Sequence, residues 1–186
     1  MFETGHAINT TAELMNRSCW EIFVNAVYLE NKKTYQNQYN ELVRFAKSSC
    51  KTSNPDVIWS ISKVESNFNF NILGVAGKEV VTDKEKIQHY FRTSDSKRNF
   101  DIGPMQINWR YHVVNSGYPA NYFLDGEFSV NYISNKILSN IVKKCQNNWI
   151  SCYHSAKSAE GLKYKKLIYN ADIKLRKNLN KMLAMR

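Results

Sequence analysis

Apolar residues recur along most of this chain at helical spacing, and short polar turns separate the repeats. Leu14, Ile22, Phe23, Ala26, Val27 and Leu29 predict a helix from Thr10 to about Glu30, opened by the capping-box spacing of Thr10 and Glu13. A Lys-Lys-Thr turn comes next, and Leu42, Val43, Phe45 and Ala46 predict a helix over Tyr39 to Ser49. Ser53-Asn54-Pro55-Asp56 is a start signal, with Asn54 as N-cap, Pro55 at the first helical position and Asp56 on the positive end of the dipole. The helix it opens carries Val57, Ile58, Ile61 and Val64 on one stripe and ends near Ser66.

The pattern then changes. Asn67 to Asn71 alternates polar and aromatic residues, Gly74 and Gly77 permit turns, and Lys78 to Arg98 is highly charged. This region reads as a long loop or hairpin with one short helix around Lys84 to Phe91. Helical pattern resumes over Pro104 to Asn115, pauses from Gly117 to Gly126, and returns over Phe128 to Lys144 through Phe128, Ile133, Ile137 and Ile141. Lys163 to Met185 closes the chain with Leu167, Ala171, Leu175, Leu179 and Met182 on one stripe. The expectation is an all-α fold of about seven helices with a functional loop in its middle.

Composition narrows the class. The 186 residues suit one compact domain, and 43% hydrophobic with 13% aromatic residues excludes a disordered tail. Apolar runs such as Ile22 to Val24 fall far short of the roughly 18 to 20 residues that span a bilayer, so a soluble protein is expected. The formal charge is +10, unevenly placed: residues 1–135 hold 14 basic and 14 acidic side chains, whereas residues 136–186 hold 12 and 2. Such a face suits nucleic acid, an anionic membrane surface or an acidic envelope polymer, unless it is a solvated lysine-rich helix. Against nucleic acid, the aromatics do not interleave with the basic run and no reading motif is present.

Cys19, Cys50, Cys145 and Cys152 allow three full pairings. The favoured one joins Cys19 to Cys50, tying the N-terminal helix to the segment after it, and Cys145 to Cys152, closing a turn over Gln-Asn-Asn-Trp-Ile-Ser. Free buried thiols are the alternative, and a metal site at Cys145, Cys152 and His154 is a third reading whose spacing matches no known ligand pattern. Disulfides imply an oxidising compartment such as a periplasm or cell surface. The start Met-Phe-Glu-Thr-Gly-His lacks a signal peptide's basic stretch and apolar core, so the expectation is a mature chain without its leader rather than a cytoplasmic protein.

Three segments carry candidate chemistry. Glu65 falls on the last turn of an apolar helix beside the irregular loop, a place where low-polarity packing disfavours ionisation and keeps a carboxylic acid protonated for general-acid work. Gly103-Pro104 reads as a turn into a helix, with Met105, Gln106 and Asn108 projecting beside it; amides donate and accept at once, which suits sugar hydroxyls and N-acetyl groups. Tyr153 and His154 place a phenol and an imidazole at the mouth of a turn. Each alone has a structural explanation: a surface acid, a helix start with a wet face, and an aromatic packed after a helix.

In this order the segments resemble the bacterial lytic transglycosylases of the soluble type, which share a fold with goose-type lysozyme. Glu65-Ser66 matches the family's Glu-Ser, Gly103-Pro104-Met105-Gln106-Ile107-Asn108 its Gly-Leu-Met-Gln-Ile-Asn, and Tyr153-His154-Ser155 a variant of small members that serve secretion, conjugation and pilus systems. The resemblance spans roughly residues 41–177. Two features depart from the family: Pro104 stands where Leu is usual, and 38 positions separate Glu65 from Gly103. The extra length, about Ala76 to Asn99, reads as a flap beside the cleft.

The resemblance implies a lysozyme-like domain over residues 41–186, with 1–40 as a helical extension packed on it. It implies cleavage of the β-1,4 bond between N-acetylmuramic acid and N-acetylglucosamine of peptidoglycan, giving a 1,6-anhydro product without metal or cofactor. Glu65 is then the general acid and base. Ser66, Met105, Gln106 and Asn108 line the cleft, Tyr153 hydrogen-bonds Glu65, and His154 contacts an N-acetyl group. The implied partners are glycan strands and a type III or type IV secretion or conjugation apparatus, in the periplasm or cell envelope. A lysozyme-like hydrolase needs a second carboxylate, for which Asp101, Asp83 and Glu85 are the candidates. A noncatalytic scaffold that kept the fold is the remaining reading.

Overall fold

In the computed structural model, which describes residues 19–75, 79–154 and 158–184, the chain is mostly helical and carries a small four-stranded antiparallel sheet. The all-α expectation is corrected to that extent. Helices α1 (Cys19–Glu30), α2 (Lys32–Asn37), α3 (Tyr39–Ser49) and α4 (Pro55–Ser66) come first. Strands β1 (Leu73–Val75) and β2 (Glu79–Val81), helix α5 (Lys84–Thr93), and strands β3 (Phe100–Ile102) and β4 (Ile107–Asn108) form the middle. A π-helical turn (Trp109–Val113) and a 3₁₀ turn (Ala120–Leu124) lead to α6 (Gly126–Tyr132), which runs through a π-helical stretch (Ile133–Leu138) into α7 (Ser139–Cys145). A 3₁₀ turn (Gln146–Asn148), α8 (Trp149–His154) and α9 (Ser158–Ala184) complete the described chain.

The core forms where the apolar stripes meet. Trp59 of α4 is fully buried, with Phe23 of α1 stacked on it at 4.4 Å, Phe45 of α3 edge-on at 5.6 Å and Phe68 at 5.2 Å. Helix α1 contributes Phe23, Val24, Ala26 and Val27 to this single core, so it packs as part of the body. The Thr10 to Ser18 part of its predicted helix lies outside the described residues. Glu30, at the end of α1, meets Lys63 of α4 at 3.2 Å and Lys174 of α9 at 2.7 Å, pinning three helices together. Cys19 is bonded to Cys50 and Cys145 to Cys152. That pairing removes the free-thiol and metal readings of the cysteines.

Several local expectations are corrected. Lys32-Lys33-Thr34 opens the short helix α2 rather than a turn. Asn54 holds the N-cap position of α4, but its side chain donates to Ser53 Oγ and leaves the cap unmade. Pro104 opens no helix: the backbone turns through residues 103–106, pairs as β4, and coils only from Trp109, where the Asn108 side chain accepts from the Tyr111 N–H.

The sheet order is β2-β1-β3-β4. Strand alternation sends Phe100 and Ile102 into the core and leaves Asp101 between them on the other face, in register with Gly74 of β1 and Asn108 of β4. This small sheet therefore carries a polar stripe, and the stripe faces the end of α4.

Candidate active site

Helix α4 ends at Ser66 because Asn67 turns left-handed, with φ of 53°, and its N–H bonds back to the Lys63 carbonyl. Asn tolerates that conformation through its short polar side chain. Phe68 comes next at φ of 62°, an uncommon conformation for an aromatic residue, held by burial against Trp59. The reversal leaves Glu65 on the last turn, partly buried and beside the sheet.

The segment 103–106 braces this helix end. Gly103 has φ of 73°, and a Cβ there would lie 2.1 Å from the Phe123 carbonyl oxygen, so only glycine fits. Three consecutive carbonyls of the turn are then captured by side chains. Gln106 Nε2 donates to Gly103 at 2.8 Å, Ser66 Oγ to Pro104 at 2.9 Å, and Tyr153 Oη to Met105 at 2.8 Å. Gln106 itself is left-handed, and its Oε1 occupies the space that a Cβ on Gly74 would need, at 2.5 Å. Gly74 is thus a strand residue whose missing side chain admits the Gln106 amide.

These contacts reassign several roles. Met105 is fully buried, so its side chain serves the core and does not line a cleft. Tyr153 bonds the Met105 carbonyl instead of Glu65. The side chain facing Glu65 is Tyr164 of α9, a residue that no sequence motif marked. Its buried hydroxyl favours the charged Glu65 carboxylate, although it makes no hydrogen bond of full geometry. Tyr164 stacks between neighbours, with the His154 ring at 4.9 Å and the Tyr153 ring at 6.0 Å, both nearly parallel to it.

Burial dominates the electrostatics. It pushes the Glu65 carboxyl up to about 7, with the Tyr164 hydroxyl opposing and the negative Asp101 adding to the rise. Burial also raises Asp101, against the Asn108 hydrogen bond and the nearby His154 imidazole, which favour its charged form. Asn108 Nδ2 lies 2.7 Å from Asp101 Oδ1 and 2.8 Å from Asn99 Oδ1. Tyr153 and Tyr164 are both raised, first by burial and then by Glu65, so each stays a neutral phenol.

Glu65, Asp101, Tyr153, Tyr164 and His154 therefore form one electrostatic cluster, with Ser66, Gln106 and Asn108 as its frame. His154 is solvent-exposed, and Ser155 lies outside the described residues. Of the other candidate carboxylates, Asp83 caps α5 by accepting from the Lys86 N–H, and Glu85 is exposed on that helix. Among the described residues no group of three or more His, Cys, Asp or Glu is placed to hold a metal.

The chain matches no protein-family model, no curated protein and no solved structure. The chemistry open to this cluster is set by its own geometry. A carboxyl titrating near 7 gives up and takes back a proton at neutral pH, which is the requirement for acid and base work by one group.

Proposed function

We infer that this protein is a peptidoglycan lytic transglycosylase, with Glu65 as its catalytic residue. The observation that carries the reading is a single partly buried Glu at the end of α4, raised to about 7 and framed by the braced turn 103–106. Protonated Glu65 donates to the glycosidic oxygen as the bond to the muramic acid C1 breaks. The resulting carboxylate then takes the proton of the C6 hydroxyl as that oxygen closes on C1, forming the 1,6-anhydro ring. One carboxylate suffices because the substrate supplies its own nucleophile, whereas most glycosidases need two. General acid-base help of this kind contributes roughly 10² to 10⁴ in rate.

The lysozyme-like arrangement belongs to the same proposal: a buried helix delivers the acid, a small antiparallel sheet stands beside it, and later helices close the back. Two disulfides suit an oxidising compartment outside the cytoplasm. Service to a secretion, conjugation or pilus apparatus is proposed on the Tyr153-His154-Ser155 motif.

One observation favours a second reading. Asp101 acts directly on Glu65, and a second carboxylate at that place is what a hydrolase uses to activate water or stabilise the oxocarbenium ion. Mass spectrometry of soluble products from purified peptidoglycan separates the two. The expected result is anhydro-muropeptides from the wild type and none from Glu65→Gln. Reducing ends abolished by Asp101→Asn would establish the hydrolase, and undiminished product from Glu65→Gln would overturn both.

A further inference from the structure

Helix α9 divides sharply around its circumference. Tyr164, Ile168, Asp172, Leu175 and Asn178 are buried on one side. On the opposite side Leu162, Tyr169 and Ile173 succeed one another at spacings of seven and four, which is one line along a helix, and they are 61%, 53% and 48% exposed. Leu167, also exposed, lies off this line.

Basic residues border the line. Lys165 stands on one flank, with Arg176 further along it bonded to Asp56 and Asp172, and Lys166, Lys177 and Lys181 run along the other. From Ser158 to Ala184 the helix has seven basic and two acidic residues, and one of the acids, Asp172, is buried and tied to Arg176 at 3.0 Å. At 1.5 Å per residue the strip from Leu162 to Lys181 is about 28 Å long.

Charge alone does not account for this face. A polyanion, whether nucleic acid or an acidic polymer, is held by the lysines and has no use for an apolar line between them. Single exposed apolar side chains are ordinary on a solvated surface, but three large ones in one line make a contiguous stripe that calls for a contact. An apolar stripe flanked by Lys and Arg fits an anionic bilayer surface, where phosphate headgroups meet the cations and the stripe enters the headgroup–acyl boundary. An apolar line confined to one side of a helix, with basic residues beside it, is the pattern of a helix lying in the interface plane.

We propose that the outward face of α9 docks this protein on anionic lipid surfaces through Leu162, Tyr169 and Ile173 flanked by lysines. The docking is independent of the reaction assigned to Glu65. Since the buried face of the same helix carries Tyr164 to Glu65, docking fixes how the cluster is presented to whatever lies above the membrane.

The test is co-sedimentation of the full chain with vesicles of phosphatidylcholine alone or with about a third phosphatidylglycerol. Binding is expected to the anionic vesicles only and to weaken as salt rises. Lys166→Gln/Lys177→Gln/Lys181→Gln should lower the partition coefficient about 100-fold. Leu162→Ser/Ile173→Ser should lower it at least about tenfold, with circular dichroism unchanged because both positions are exposed. Absence of binding to anionic vesicles, or equal binding to both kinds, overturns the proposal. So does a loss confined to the lysine variant, which would mark the face as a site for a soluble polyanion.

Discussion

The two ends of α4 each bring two carboxyl groups together, and they resolve the repulsion in opposite ways. At the N-terminal end Asp56 faces Asp172 of α9, and Arg176 bridges them, at 2.9 Å to Asp56 and 3.0 Å to Asp172. At the C-terminal end Glu65 faces Asp101, and its neighbours are the phenols of Tyr153 and Tyr164. Burial raises Asp56 as well, but there the Arg176 charge opposes it. A cation between two acids makes a clamp that joins α4 to α9. Phenols around two acids leave a proton to be held and released. The lesson is that burial beside a second acid has no fixed outcome; the groups that surround the pair decide whether it is locked as charges or left able to exchange a proton.

The largest expected contrast comes from Glu65→Gln. It should lower glycan cleavage by roughly 10² to 10⁴ while making the protein more stable above neutral pH. Glu65 titrates at about 7 in the fold against a reference of 4.5, so ionisation is disfavoured in the folded state and stability is lost as pH rises between those values. Removing the ionisable group restores on the order of 3 kcal/mol at pH 8 and nothing at pH 4. Urea melts at both pH values read this directly, and an equal stability difference at the two would contradict the assignment.

Arg176→Met should do the reverse: leave cleavage and its pH profile intact, but destabilise. The carboxyls of Asp56 and Asp172 are mostly buried, each with one oxygen already lacking a partner, so losing the cation strands two charges. Because Arg176 is itself half-exposed, about 2 kcal/mol is expected rather than the larger loss of a fully buried pair. Asp56 is already raised, and without Arg176 it rises further, so the loss should be greatest above neutral pH and shrink as Asp56 protonates. A stability loss independent of pH would mean that Arg176 acts by packing alone.

How much of this was legible in the sequence divides along similar lines. The bounds of α3 and α4 come from apolar spacing and from Pro55, and the place of Glu65 comes with them. The hairpin and the short helix near Lys84 were readable from the break in period, and the structure adds Asp83 as the cap of that helix. The sheet as a whole was not, because its strands are two or three residues long and alternation needs more length to register. Gly103-Pro104 imitates a helix start, yet the turn is set by Ser66, Gln106 and Tyr153 capturing its carbonyls, contacts that reach up to 48 positions along the chain. On α9 the predicted stripe found the inward face at Leu175 and Leu179 but missed its start: Leu167 is exposed, while Tyr164 and Ile168 lie inside. That offset at the first turns hid Tyr164. A tyrosine four residues before a buried Ile, on the inward face of a long helix, is the signal that would have found it.

The finest comparison is within the cluster at Glu65, where two neighbours push in opposite directions. Tyr164 favours the charged carboxylate as a donor, and Asp101 disfavours it by like charge. Tyr164→Phe should therefore raise the Glu65 pKa and move the alkaline limb of the kcat/KM profile to higher pH, because the acid stays protonated further. Asp101→Asn should move the same limb to lower pH. Each shift is expected to be under about one pH unit, since burial rather than either neighbour supplies most of the rise. Both variants keep the bulk of the original side chain, so the fold is preserved and the limb is the readout. Opposite displacements would establish that Glu65 is the group titrating in the rate, tuned from two sides. Displacement in the same direction would point to general loosening of the site, and an unmoved limb would assign the titration to another residue.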